Sequence, residues 1–475
     1  MSDPALAARC RFPHLKVLWG NDHRLHRGGQ AVQTRGSKPM LSKSSFTVVR
    51  GLFALLVALT ASAAMAATAS ADTSWTESKT TTAPALRQTV GVNAAPSWFN
   101  TPYGDWTTVL SRLREMGAAN IRTAAQISTN DGWNRAVWGR LNDAVNAGIR
   151  LNLIVDHGCS MGGPIDPCID AIRTRVPASA VASVEWPNEY DISKDPNWAA
   201  NLVNWGRQIY TKMKADPATR GIQVVGPSLV GKYAPATLGD QSAYMDAGNL
   251  HPYTGGLSPT PAHMASERTR MAAVSGSEPL VATEAGFHTV LSATGAFAGT
   301  DETAGANYTV RTFLEHYVSG VQRTYVFQLL DPRLDPADPE VNFGLLRNDG
   351  TPRKAFTAVK NLMAMVGTQG PSKLAALPYG IQGDTTDLRH FAVEQADGTY
   401  LLFLWRTASV WNRTTKTPIV VSPKRLSIWL PTASGVDGGN PMLGAGMLPS
   451  RLDATSKRTT VDLAGDPVVL RVRTG

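Results

Sequence analysis

Two glutamates stand where a carboxylate can do chemistry. Glu189 falls in Ser-Val-Glu-Trp-Pro-Asn-Glu-Tyr-Asp (183–191) and Glu284 in Leu-Val-Ala-Thr-Glu-Ala-Gly-Phe (280–287). Each follows a short apolar run of the kind that forms a buried strand, so each is expected at a strand's carboxyl end, where a parallel barrel gathers its functional groups. Two carboxyls about 5–5.5 Å apart, one protonated and one ionised, are the apparatus of glycosidic bond cleavage with retention. An isolated glutamate at a strand end is more often a solvated or paired charge. The reading gains weight because Asn188-Glu189, Arg122 in Asn-Ile-Arg-Thr (120–123) and His251 in His-Pro-Tyr (251–253) also fall at ends of expected strands.

The elements that must position these residues alternate along the chain. Apolar runs predict strands over 89–93, 119–123, 150–156, 182–186, 222–227, 247–251, 279–284 and 323–329. Between them apolar residues recur at helical spacing: Val109, Leu113 and Met116; Trp138, Leu141 and Val145; Trp198, Leu202, Trp205 and Ile209; Val310, Phe313, Leu314 and Tyr317; Phe356, Val359, Met363 and Val366. These stripes read as core, and Gly117 and Gly148 follow two of the helices where a left-handed cap is expected. Eight strands with right-handed crossovers predict an α/β chain folded as a (β/α)8 barrel over 88–368. From Lys373 the pattern turns to strands: 390–395, a tight turn at Asp397-Gly398, then 399–405, with 417–421, 425–429 and 467–472 further on. A small antiparallel β-sandwich is expected over 369–475. Residues 72–86, rich in Thr, Ser and Ala, read as a flexible linker, placed at 72–87.

On these residues the chain resembles the retaining (β/α)8 glycoside hydrolases of clan A, in which Asn-Glu ends strand four and Glu ends strand seven. The resemblance implies that Glu189 is the general acid/base and Glu284 the nucleophile. It implies that Arg122 keeps the nucleophile ionised and that His251 and Tyr253 hold the strand-six aromatic positions, the tyrosine hydrogen-bonding the nucleophile. Phe-Gly-Leu-Leu-Arg-Asn-Asp-Gly-Thr-Pro-Arg-Lys-Ala-Phe (343–356) is similar to the turn and final helix of many such barrels. The following sandwich resembles the appended domain of family 39 and related glycosidases. Strand eight departs from the clan, which places a tryptophan beneath the sugar; here it reads Tyr325-Val326-Phe327-Gln328.

Other residues carry weaker expectations. Asn188 is placed to bond a sugar 2-hydroxyl, or to close a turn. His157, ending strand three, and Gln328 are candidate substrate contacts, and His157 reads equally well as a core histidine. Glu185, on the same run as Glu189 but deeper, reads as a buried partner for a basic group. Trp98 and Trp133 lie near loops of the expected site face, whereas Trp186, inside a strand, reads as core.

Composition excludes several classes. At 475 residues, 43% apolar and 17% charged, the chain is an ordinary globular protein. Its net charge of +9 suggests nucleic acid until its location is checked: residues 1–71 hold nine Lys/Arg against two Asp/Glu, leaving +2 for the rest. No nucleic-acid partner is expected. Lys43 and Arg50, the apolar run 51–65, then Ala-Met-Ala and Ala-Ser-Ala have the order of a secretory signal within the leader, with Met40 the expected start. The run is shorter than the roughly 20 residues of a spanning helix, so no membrane association is expected once it is removed. Cys159 and Cys168, the two cysteines beyond the leader, are expected to pair in an oxidising compartment, stabilising the fold by about 2.5–3 kcal/mol. The chain contains no Gly-x-Ser-x-Gly, Walker or His-Glu-x-x-His motif, and neither metal nor cofactor is implied. The expectation is an exported retaining β-glycosidase or endoglycanase acting on a poly- or oligosaccharide. An α-L-arabinofuranosidase of the same clan and a non-catalytic carbohydrate-binding barrel are the alternatives; linkage and oligomeric state stay open.

Overall fold

The computed structural model describes residues 79–156 and 164–475. Strand β1 (Thr80–Thr82) and helix α1 (Ala83–Arg87) come first. Eight strands follow: β2 (Val90–Asn93), β3 (Asn120–Ala124), β4 (Arg150–Ile154), β5 (Val181–Glu185), β6 (Gln223–Val225), β7 (Gly248–Leu250), β8 (Leu280–Ala285) and β9 (Val321–Val326). Alternating with them are α2 (Trp106–Met116), α3 (Asp131–Asn146), α4 (Asp166–Arg175), α5 (Trp198–Ala215), α6 (Ala234–Leu238), α7 (Pro261–Ser275), α8 (Glu302–Val318) and α9 (Lys354–Val366). The strands lie in the order β6-β5-β4-β3-β2-β9-β8-β7, all parallel. A parallel bridge between Val225 and Ala247 joins β6 to β7 and closes the ring. All eight expected strands are present, with ends moved by a few residues.

Closure explains the apolar runs. In β5 and β8 every residue is buried, because helices cover the outside of the ring and side chains fill the inside. Helix α2 shows how the outer layer is specified. Asp105 caps it by accepting the Thr108 N–H, and Trp106, Val109, Leu113 and Met116 form its buried face. Gly117, at φ 74°, then ends it in the left-handed conformation expected from the sequence. Trp186, just beyond β5, is core as expected, and a Cβ on Gly206 of α5 would lie 2.1 Å from its ring. Glycine at 206 is what lets that helix approach the barrel.

Inside the ring, Val225, Ala247, Val281 and Tyr325 form an apolar plug. Two residues further along β7 and β8 come Asn249 and Thr283, which join Asn120, Arg122, Asn152, Ser183 and Glu185 in a buried polar layer. Strict alternation would place Glu284 on the opposite face of β8 from Val281 and Thr283. The register of β8 against β9 is irregular between Ala282 and Ala285, and this turns Glu284 inward beside Thr283.

The remaining strands are β10 (Gly380–Gln382), β11 (Leu388–Glu394), β12 (Tyr400–Arg406), β13 (Trp411–Asn412), β14 (Thr417–Pro418), β15 (Lys424–Trp429), β16 (Ala433–Gly439), β17 (Leu448–Ser450), β18 (Arg458–Leu463) and β19 (Val468–Thr474). A six-stranded sheet, β1-β11-β12-β19-β16-β17, packs on a three-stranded one, β10-β15-β18. Gly398 takes φ 77° in the β11–β12 turn, and Asp397 Oδ1 accepts the Thr399 N–H there. The strand expected over 417–421 shortens to the two residues of β14, paired with β13. The linker reading of 72–87 is corrected at its end: Thr80–Thr82 pairs parallel with Ala392–Glu394, and 83–87 is helical. Backbone pairing needs no apolar side chain, so a threonine run forms this edge strand although it lacks strand patterning.

The outer face of the six-stranded sheet lies against the barrel. Phe391, Val393, Leu401, Phe403 and Trp405 pack on Val310 and Leu314 of α8 and on Leu362, Met365 and Val366 of α9. Helix α8, caught between barrel and sandwich, is buried at every position from Ala304 to His316. No helix among the described residues is long and apolar enough to cross a membrane. The leader, residues 72–78 of the linker, His157 and Cys159 lie outside the described residues.

Candidate active site

At the carboxyl ends of the strands, Arg122, Asn188, Glu189, His251, Tyr253 and Glu284 form one hydrogen-bonded cluster. Arg122, buried in β3, is its hub. Its Nη1 donates to Glu284 Oε1 at 2.7 Å and to Asn93 Oδ1 at 2.9 Å. Its Nη2 donates to Asn188 Oδ1 and Glu185 Oε1, each at 2.6 Å, and Nε reaches Glu185 Oε2 at 2.8 Å. Burial opposes the guanidinium charge, but Glu185 and Glu284 outweigh it and hold the pKa above its ordinary value. Glu185 is thus the buried partner of a basic group that its depth suggested.

Glu284 is fixed at both oxygens. Oε1 accepts from Arg122 and Oε2 accepts the Tyr253 hydroxyl at 2.8 Å, with His251 Nδ1 3.6 Å away. Burial alone would push this carboxyl up; His251, Arg122 and the Tyr253 bond together hold it below the usual glutamate value. Tyr253, buried against that carboxylate, is driven well above the ordinary tyrosine pKa and stays a donor.

Glu189 meets the opposite environment. It lies just past β5 with φ 45° and ψ 38°, a left-handed conformation unusual for a residue with a side chain. The turn is held from the neighbouring loop: Ser228 Oγ accepts the Glu189 N–H at 3.0 Å, and Asp191 accepts the backbone N–H groups of Val230 at 3.1 Å and Gly231 at 2.7 Å. Its Oε1 lies 2.6 Å from His251 Nδ1. Burial, with the charge of Glu284, raises its pKa against the pull of His251 and Arg122. His251 is itself raised: burial disfavours its charge, but Glu284 and Glu189 together outweigh burial.

An oxygen of Glu189 and one of Glu284 lie within 4.8 Å of each other, and both are within that distance of a His251 ring nitrogen. One carboxyl is held up and its neighbour held down across that short gap. Such a pair can protonate one atom while attacking the next. The same three groups have the spacing to hold a cation, but the oxygens of Glu284 already face Arg122 and the Tyr253 hydroxyl.

Of the other expected residues, Gln328 is buried and donates to the Glu340 carbonyl at 3.4 Å; among the described residues it bonds neither carboxylate. Trp98 and Trp133 are half-buried, edge-on to Tyr103 and Phe99 respectively. Cys168 is buried in α4, while Cys159 lies outside the described residues. Sequence reasoning missed Asn93, Ser228, Asn249 and Thr283, single polar residues in or beside buried strands. It also missed Glu340, whose carboxyl is pushed up to about 8 by burial and by the charges of Glu284, Glu189 and Asp338. Thr283 had a usable signal, since it precedes Glu284 and is polar in an apolar run; Glu340 sits in the long segment after β9 and had none.

The sequence matches no family model, and no curated protein matches it either. Solved structures share its architecture. A family 39 glycoside hydrolase from the gut symbiont Bacteroides cellulosilyticus WH2 superposes with a TM-score of 0.52 at 14% identity, covering 81% of each chain. A glucosidase from Croceicoccus marinus gives 0.56 at 14% identity, over 83% of this chain and 99% of the other. The GH39 enzyme from Xanthomonas axonopodis pv. citri gives 0.51 at 17% identity, over 84% and 97%. At such identities the likeness is one of fold, a barrel carrying a β-sandwich.

Proposed function

We propose that this chain is a secreted retaining glycoside hydrolase that cleaves β-glycosidic bonds of a poly- or oligosaccharide by double displacement. The observation that carries this reading is the opposed pair: Glu189 held up and Glu284 held down, with oxygens within 4.8 Å. Retaining enzymes hold their two carboxyls about 5–5.5 Å apart, whereas inverting ones leave room for a water between them. The fold shared with glycoside hydrolases supports the same substrate class.

In the first step an oxygen of Glu284 bonds the anomeric carbon as the bond to the leaving oxygen breaks, and that oxygen takes the proton from Glu189. In the second, water attacks the same carbon, gives its proton to Glu189, and releases Glu284 as a carboxylate. Arg122 and Tyr253 hold Glu284 ionised and aimed between turnovers. Because Asn188 Oδ1 is taken by Arg122, its amide N–H groups are the donors available to a sugar 2-hydroxyl. A non-catalytic binding barrel would need neither the depressed carboxyl nor the raised one.

The test is release of reducing sugar by the purified protein from Asp72 onward, over a panel of polysaccharides and aryl glycosides, arabinofuranosides included, with Glu284→Gln as control. Activity lost in that variant supports the reading and names the substrate; equal activity in both proteins removes it.

A further inference from the structure

His251 lies between Glu189 and one buried hydroxyl, and the protons along that line can be counted. Its Nδ1 is 2.6 Å from Glu189 Oε1, and its Nε2 is 2.9 Å from Thr283 Oγ1. Thr283 has one hydroxyl proton and two further neighbours, Asn249 Oδ1 at 2.7 Å and Glu185 Oε1 at 3.2 Å. Neither neighbour returns a proton. Asn249 turns its Nδ2 to Glu185 Oε1 at 3.1 Å and to the Gly226 carbonyl at 3.2 Å, both acceptors, so the atom it offers Thr283 is its oxygen. Glu185 meets donors on every other side: Arg122 Nε and Nη2, Asn152 Nδ2 and Asn249 Nδ2. The Thr283 proton is therefore directed into the barrel, its lone pair faces His251, and Nε2 must be the donor.

The geometry points to Thr283 as a positioning residue for the reaction proposed above, on which this inference rests: its hydroxyl locks His251 with the proton on Nε2, so that Glu189 and Nδ1 hold one further proton between them. That shared proton is the one given to the leaving group. When it departs, the glycosidic carbon–oxygen bond breaks, the leaving oxygen gains the hydrogen, and an oxygen of Glu284 bonds the anomeric carbon. Glu189 then faces a bare Nδ1, lone pair against lone pair, with Glu284 now uncharged in the ester. This mismatch is relieved by taking a proton from the water that attacks the anomeric carbon and frees Glu284. The charged and titratable groups facing His251 are Glu189 beyond β5, Glu284 on β8, Arg122 on β3 and Tyr253 beyond β7. Only Thr283 meets Nε2 among the described residues.

The lock is read directly by nitrogen-15 NMR of histidine-labelled protein, with the His251 signals assigned by their loss in His251→Asn. The expected result is a protonated Nε2 at neutral pH; a neutral ring with its proton on Nδ1 alone overturns the inference, whether or not any substrate is turned over. The kinetic arm uses Thr283→Val, which frees the ring to place its proton on Nδ1 and stabilise ionised Glu189. With poor leaving groups kcat/KM should fall roughly 10- to 100-fold, part of the 10²–10⁴-fold that general acid–base catalysis supplies. Dinitrophenyl glycosides should suffer less, the alkaline limb of the pH profile should move to lower pH, and Thr283→Ser should restore the wild-type profile. Equal loss on all leaving groups, or an unmoved limb, would show Thr283 to be structural. A wild-type protein silent on every glycoside would remove the proposed function, while the NMR result would still decide the lock.

Discussion

Arg122 binds Glu185 through Nε and Nη2 and Glu284 through Nη1, so one guanidinium joins a carboxylate sealed in the barrel to one at the site. Truncating it would strand Glu185, which has no exposure of its own. Arg122→Ala should therefore cost stability as well as activity, by about 3–5 kcal/mol, the usual loss when one partner of a buried ion pair is removed. Urea denaturation of the variant tests this, and a loss below about 1 kcal/mol would mean that the Asn152, Asn249 and Thr283 bonds suffice for Glu185.

The two site glutamates should fail differently. Glu284→Gln replaces the attacking carboxylate with a neutral amide and should abolish turnover of every substrate. Glu189→Gln should cost roughly 10²–10⁴-fold, and less with leaving groups that need no protonation. Azide added to Glu189→Ala should restore turnover and yield a β-glycosyl azide. Equal losses on all leaving groups would assign the acid elsewhere.

The pH dependence of kcat/KM should be bell-shaped, its limbs belonging to the coupled pair. Glu284, held low, sets the acid side, because activity is lost as it gains a proton. Glu189, held high, sets the alkaline side, because activity is lost as it gives one up. Glu189→Gln should erase the alkaline limb alone.

Glu340, pushed up to about 8, is mostly neutral at pH 7 and adds a negative charge near the site above that pH. That charge disfavours ionisation of Glu189. Removing it with Glu340→Gln should move the alkaline limb to lower pH, and a shift to higher pH would contradict the placement of its charge.

Gly206 gives a prediction about the fold. In an exposed helix Gly→Ala stabilises by up to about 1 kcal/mol. Here the added methyl meets the Trp186 ring at 2.1 Å, so Gly206→Ala should instead destabilise by roughly 1–3 kcal/mol, measured by thermal melting.

Much of this architecture is legible in the sequence because closed parallel sheets bury both faces and write continuous apolar runs. Helices α2, α3, α5, α8 and α9 showed themselves through large residues at helical spacing. Helix α7 did not: its buried residues are Met264, Met271, Val274 and Ser275, too sparse to mark a stripe. Strand β16, Ala-Ser-Gly-Val-Asp-Gly-Gly, has neither alternation nor β-branched residues beyond one valine, and is held by its pairing with β17 and β19. At the site, the residues at strand ends and the buried Glu185 were readable, but the neutral side chains of the polar layer, the position of Thr283 before Glu284 aside, were not. Asn93, Asn249 and Thr283 take their meaning from partners on other strands, and only the closed ring brings them together.

The irregular register at the end of β8 separates possession of a glutamate from possession of a site. Thr283 and Glu284 are consecutive, yet both face the barrel's interior, one against His251 and the other against Arg122 and Tyr253. Anyone transplanting this chemistry to another barrel would have to carry over the local hitch in the strand together with the side chains. On an evenly pleated host the same dipeptide would send its carboxylate into the helical layer, and the graft would be inert with every residue identity correct.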